Sequence, residues 1–163
     1  MNLRIGEALE RGSGSLAERF GALAELREQG LIRDLGISNV TAEHLTEALA
    51  IAPVACVQNQ YGLTARREDD TLVALCAEHG VAFVPFFAIA GSTFGDTEPD
   101  SVAKVAATHG VTPAQVRLAW TLHQGPNVLA IPGTGNVDHL IENVAAAGLR
   151  LSDDDLRQLD TNE

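Results

Sequence analysis

The sequence predicts an α/β protein, a parallel sheet with helices packed outside it. Two observations carry that expectation. Apolar runs of strand length alternate with amphipathic runs of helix length along the whole chain, and helical runs close on glycines such as Gly30 and Gly80 before the next strand begins. In addition, no linker, repeat or low-complexity stretch divides the 163 residues, so they read as a single domain, 1–163, with room for one core. Right-handed crossovers leave two topologies open at this stage, a doubly wound sheet and part of an eight-stranded barrel.

The elements follow in order. "NLR" near the start is a strand stub. "SLAERFGALAELREQG" is a helix, with Leu16, Phe20, Leu23, Ala24 and Leu26 at helical spacing, a capping box from Ser15 to Glu18, and Gly30 suited to the left-handed C′ position. "LIRDLGIS" is a short strand. "TAEHLTEALAIA" is a helix capped by Thr41, and "VACVQNQ" a strand with Pro53 just ahead of it, where a missing N–H does no harm. "REDDTLVALCAEHG" reads as a helix with acidic residues in its first turn, as the helix dipole favours. "VAFVPFFAI" is a buried strand and "AGSTFGDTEPD" a loop. Two helices follow, "SVAKVAATHG" and "TPAQVRLAWTLHQG", the second opened by Thr112 as N-cap, Pro113 at N1 and Gln115 at N3. The strand "NVLAIP", the helix "NVDHLIENVAAAG" and a last helix capped by Ser152 complete the chain.

Charge narrows the function classes. The formal net charge is −11, with acidic residues twice as common as basic ones. Such a chain repels phosphate backbones at long range, so nucleic acid and anionic membrane surfaces are not expected partners, and any bound phosphate must be held by local dipoles or a few placed cations. The five histidines show no metal-ligand spacing, and Cys56 and Cys76 lie in separate apolar runs. Neither a metal nor a disulfide is expected; reduced core thiols and a cytoplasmic setting are. No apolar run reaches the roughly 18–20 residues of a membrane span, and the N-terminus lacks the pattern of a signal peptide.

Candidate site residues cluster at the ends of strands: Ser38 and Asn39 after "LGI", Gln58 to Tyr61 after "ACV", and Thr134 after "AIPG". That edge is where α/β sheets and barrels bind ligands. For Ser38 and Asn39 a plain turn-capping role stands beside the ligand-binding one. In "PGTGNVDHLIEN", Gly133 and Gly135 admit close backbone approach, Thr134 adds a hydroxyl, and the next helix turns its unpaired N–H groups toward that space. This is a cradle for an anion.

Taken together, "LREQGLIRDLGISNV", "VQNQYGL", "VAFVPFFAIAG", "TPAQVRLAW" and "IPGTGNVDHLIENV" resemble the C-terminal half of an aldo-keto reductase, over essentially the whole chain. The resemblance implies a partial (β/α)8 TIM barrel of about four to five parallel strands with outer helices. It also implies a nicotinamide dinucleotide, NADP in the first place and NAD as the alternative, and a carbonyl compound as substrate. Carried over by position, Ser38, Asn39 and Gln58 hydrogen-bond the nicotinamide carboxamide and Phe86 stacks on the nicotinamide ring. Ile89, with the backbone of Ala90 and Gly91, lies along the pyrophosphate. Gly133, Thr134 and His139 line the 2′-phosphate pocket, with Glu142 and Asn143 facing adenine.

Three departures from the family pattern stand out. Lys is frequent in the family where this chain has Gly133, and Arg where it has His139. The Pro-Leu-Gly of many relatives is absent at Ala88–Ala90. The family's Tyr general acid, its Lys and its Asp belong to segments expected before this chain's first residue, and the site of its carbonyl-orienting His falls on Arg4. Tyr61, the only tyrosine, matches no acid position, so no catalytic residue is assigned. A half-sheet would expose two unpaired edges, and the expected cover is a second copy of the chain or a complementary chain. The reading is an NADP(H)-dependent oxidoreductase in truncated form, inactive alone, with a non-catalytic binding or self-assembly module as the alternative.

Overall fold

A computed structural model describes residues 1–6, 11–65, 67–89 and 99–160. Four strands, β1 (Asn2–Arg4), β2 (Gly36–Ser38), β3 (Cys56–Gln58) and β4 (Ala82–Phe83), form one parallel sheet in the order β1-β2-β3-β4. Parallel neighbours need a crossover, and the helices α1 (Ala17–Glu28), α2 (Ala42–Ile51) and α3 (Asp70–Glu78) supply the three. Beyond β4 come α4 (Asp100–His109), α5 (Pro113–His123), α6 (Val137–Ala146) and α7 (Asp153–Asp160). Register is regular: Gly36 lies opposite Asn2 and Cys56, and Ser38 opposite Arg4 and Gln58.

The period-2 alternation of the strands sorts their side chains. Ile37, Val57 and Phe83 are fully buried in the hydrophobic core, with Phe20 of α1, Leu45 of α2, Leu72 of α3 and Trp120 of α5 in the same cluster. Gly36, Ser38, Cys56 and Gln58 alternate with them and take the opposite face. Gly36 is tight there: a Cβ on it would stand 2.7 Å from Cys56 Sγ. Tyr61 belongs to the core. Its ring is fully buried, stacks on Trp120 at 5.9 Å and meets Phe83 edge-on, and its hydroxyl donates to Asp70 Oδ1 at 2.6 Å.

Most helix boundaries follow from caps. Thr41 and Thr112 each close a capping box, with His44 and Gln115 at N3, and Gly30, Gly80 and Gly110 take the positive φ expected at helix ends. Ser152 accepts from Asp155 N–H while the Asp155 carboxylate accepts from Ser152 N–H, the reciprocal cap of α7. Burial alone would raise the Asp155 carboxyl. Hydrogen bonds from the Ser152 backbone and from His109 on α4 outweigh it and hold the group below its ordinary value.

Three expectations need correction. The box from Ser15 to Glu18 does not form: Leu16 is the N-cap of α1 and has no side-chain cap bond. Ser15 Oγ accepts Ala17 N–H at 3.1 Å and donates to Glu47 on α2, whose other carboxylate oxygen accepts Leu16 N–H, so a tertiary tie takes the place of the Glu18 half of the box. "NVLAIP" is not a full strand. Asn127 C=O and Leu129 N–H bracket Phe83 in one bridge at Val128, and then Leu129 and Ile131 stand 59% and 46% exposed. "VAFVPFFAI" is a regular strand only at Ala82–Phe83; Val84 and Phe86 N–H still donate to Val57 and Asn59 C=O on the β3 side, while Pro85, whose nitrogen alternates to the side of Asn127, has no N–H to extend pairing there.

Candidate functional site

The polar strand ends meet in two groups. In the first, Ser38, Asn39 and Gln58 are tied by the β2–β3 register. Ser38 Oγ donates to Gln58 C=O at 2.7 Å, Asn39 N–H donates to the same oxygen at 3.2 Å, and Gln58 Oε1 lies 3.5 Å from Asn2 Nδ2. Phe86 follows on the neighbouring strand end, bridged to Gln60, with its ring edge-on to Phe87 at 5.4 Å.

Asn39 is buried and holds φ +58°, a conformation that Asn tolerates better than most side chains. Its neighbours keep it there. The Asn59 side chain accepts from Val40 N–H at 3.0 Å and donates to Val40 C=O at 2.8 Å. Asn59 also donates to Asp69, which takes Arg11 at 2.6 Å. The sequence signal for this brace was the second amide in "QNQ", whose side chain points to the helix side of the sheet.

The second group lines a cavity of about 510 Å³ between the start of α5 and α6. Ile89, Gly133, Thr134, His139, Glu142 and Asn143 all face it. A Cβ at Gly133 would have nothing within 4 Å, so the backbone there is open to a ligand. Thr134 Oγ1 accepts Asn136 N–H at 3.1 Å, and Asn136, the N-cap of α6, accepts from Asp138 N–H. Glu142 is fixed from α5: Gln115 Nε2 donates to its carbonyl at 3.1 Å, and Thr112 Oγ1 lies 3.5 Å from its carboxylate. The cavity is large enough for the nucleoside end of a dinucleotide. Ala90 and Gly91 lie outside the described residues.

Four lining residues escaped the sequence reading: Thr112, Pro113, Ala114 and Arg117, all from the start of α5. Arg117 is 2% exposed, and its Nη1 donates to Thr64 Oγ1 at 3.3 Å, in the loop after β3. The available signal was a charge between two apolar residues, Val116 and Leu118, in a run buried from Gln115 to Thr121. Among the described residues no group of three or more His, Cys, Asp or Glu is placed to hold a metal ion, and no helix is long and apolar enough to cross a membrane.

A parallel sheet with helices on one face and polar side chains gathered at the C-terminal strand ends is the plan of a β/α-barrel protein. The chain belongs to the aldo/keto reductase family, whose model matches residues 10–162. It is 44% identical over 162 residues to pyridoxine 4-dehydrogenase of Escherichia coli, covering 98% of this chain and 56% of that one. Among solved structures it is similar to the thermostable aldo-keto reductase Tm1743, solved with the inhibitor epalrestat (TM-score 0.81, 34% identity, 98% of this chain and 58% of that one). It is also similar to an aldo-keto reductase of Klebsiella pneumoniae solved with NADPH (TM-score 0.78, 30% identity, 93% and 55%). The chain thus spans little more than half the length of these relatives.

Proposed function

We propose that these 163 residues, as one domain, form the dinucleotide-binding half of an NADP(H)-dependent oxidoreductase that interconverts a carbonyl compound and an alcohol in the cytoplasm. One observation carries the reading: six of the eight residues assigned to the pyrophosphate, 2′-phosphate and adenine ends, drawn from segments about 50 residues apart in sequence, line one cavity. The open backbone at Gly133 and the Thr134 hydroxyl suit a phosphate ester, and Asn143 offers an amide to a base. In this reading Ser38, Asn39 and Gln58 orient the carboxamide and Phe86 covers one face of the ring. The bound nicotinamide supplies or accepts the hydride.

The proton is a separate matter. The only tyrosine is locked in the core on Asp70, and the only lysine, Lys104, lies on α4. Within these residues Tyr61 and Lys104 therefore form no acid pair, and the acid must come from a complementary unit. NADPH fluorescence titration of the purified protein is expected to show saturable binding without turnover of small aldehydes. Absence of binding refutes the cofactor reading, and turnover in the usual enzymatic range of about 1–10³ s⁻¹ refutes the account of the missing acid.

A specific observation also favours assembly. Val137, Leu140, Ile141 and Val144 form an apolar stripe at i, i+3, i+4, i+7 on α6, each 53–70% exposed, and Leu129 and Ile131 after the bridge at Val128 are exposed as well. A second copy or a complementary chain covers this stripe in the proposed protein. Sedimentation at micromolar concentration should show association that Ile141→Asp abolishes; a monomer in both proteins refutes self-assembly.

A further inference from the structure

Resting on the dinucleotide reading, we propose that Asn59, Asp69 and Arg11 are positioning residues: they fix the strand end that meets the nicotinamide and tie it to the loop after β1. Asn59 does not face the ligand itself. It alternates with Gln58, turns to the helix side of the sheet and is buried, as is Asp69. Among the described residues only Asn39 and Phe87 hold positive φ without being glycine, and both lie at strand ends of the proposed nicotinamide site. Backbone of this kind persists where its surroundings over-determine it.

Around Asn39 they do so peptide by peptide. Ahead of it, Asn39 N–H donates to Gln58 C=O at 3.2 Å; behind it, Asn39 C=O accepts Gly12 N–H at 3.3 Å and Val40 N–H donates to Asn59 Oδ1 at 3.0 Å. Both flanking peptide planes are held, which sets φ and ψ. Asn59 can do this because its amide has one orientation. A carboxylate only accepts, so Asp69 Oδ2 takes Nδ2–H at 3.1 Å, the second Nδ2 hydrogen goes to Val40 C=O at 2.8 Å, and Oδ1 is left to Val40 N–H. Asp69 Oδ1 in turn meets Arg11 at 2.6 Å, and Arg11, part exposed, also reaches Glu68 at 3.3 Å. A buried carboxylate stays charged where a cation answers it. Gly12, next to Arg11, lies this close because a Cβ there would collide with the Ile5 side chain. Arg11 and Gly12 therefore act on the one Asn39–Val40 peptide by two routes, and Ser38, beside it, shares a register row with Gln58. An end fixed in advance binds more tightly, because less ordering remains to be done when the ligand arrives.

Calorimetric titration of the purified protein with NADPH and with adenosine 2′,5′-bisphosphate, which lacks the nicotinamide, tests this. Asn59→Leu should weaken NADPH binding about tenfold and Arg11→Met about threefold, while the bisphosphate stays within about twofold of wild type in both. Arg11→Lys, which keeps a cation opposite Asp69, should return NADPH to within about twofold. A merely structural role would not produce that split. Unchanged NADPH affinity in either folded variant overturns the proposal. So do equal losses for the two probes, or an Arg11→Lys loss as large as that of Arg11→Met. A wild-type protein that binds the bisphosphate as tightly as NADPH overturns it while leaving the adenosine end of the reading intact. One that binds neither probe overturns that reading and this inference together. Circular dichroism reports folding; should Asn59→Leu not fold, the two Arg11 variants decide.

Discussion

Replacing Tyr61 by Phe separates a structural tyrosine from a chemical one. The substitution keeps the fully buried ring, its stack on Trp120 and its edge contact with Phe83, and removes only the hydroxyl. What is lost is a 2.6 Å bond to Asp70, with Gln124 Oε1 at 3.5 Å as a minor second partner. A hydrogen bond to a charged group contributes about 1.5–3 kcal/mol. Here the acceptor belongs to an exposed residue that water can re-solvate, and no buried donor is stranded, so the expected cost is about 1–2 kcal/mol at the low end of that scale. For a chain of this size that shifts the melting temperature by roughly 2–8 °C. Urea unfolding should give a lower midpoint with an unchanged m-value, and NADPH titration should give an unchanged dissociation constant. A Tyr61→Phe protein with wild-type stability would refute the assigned core role of the hydroxyl, and one with impaired cofactor binding would place the hydroxyl at the site.

Other outcomes follow from the same structure. The Asp155 carboxyl is held below its unfolded value, so its contribution is present above about pH 4 and is lost as pH falls through the lower folded value. Asp155→Asn should flatten the acid limb of the stability curve and cost about 1 kcal/mol at pH 7, as loss of a cap does; an unaltered pH profile refutes the assignment. Burial, with Asp69 and Cys56 nearby, pushes the Cys76 thiol up to about 12. A thiol reagent at pH 8 should therefore leave Cys76 unmodified in the native protein and label it in denaturant; rapid native labelling of both cysteines contradicts this packing. Gly36→Ala, whose Cβ would meet Cys56 Sγ at 2.7 Å and its carbonyl at 3.1 Å, should cost about 1–3 kcal/mol by overpacking, and a neutral result would mean that β2 and β3 sit further apart.

The elements legible in the sequence were those whose signals are local. Thr112, Pro113 and Gln115 place the start of α5, and Gly30, Gly80 and Gly110 close helices at positive φ. Nothing local announces that Ser15 also donates to Glu47, because that carboxylate arrives from 32 residues away. "NVLAIP" has strand composition, but a strand needs a run of paired residues, and here only Val128 pairs, in a single bridge to Phe83. The candidate site divides in the same way. Glycines and hydroxyls ahead of α6 announce themselves, whereas Arg117 reaches the cavity through the packing of α5, which no spacing rule encodes.

Strand order and chain order coincide in this sheet, and that bears on how the protein is made. Register partners Asn2 and Gly36, Gly36 and Cys56, and Cys56 and Ala82 lie 34, 20 and 26 residues apart. Each strand therefore docks on one synthesised just before it, and loop closure never spans more than a single strand–helix unit. During translation the sheet can grow unit by unit behind the ribosome, with an already folded edge ready for every segment that emerges.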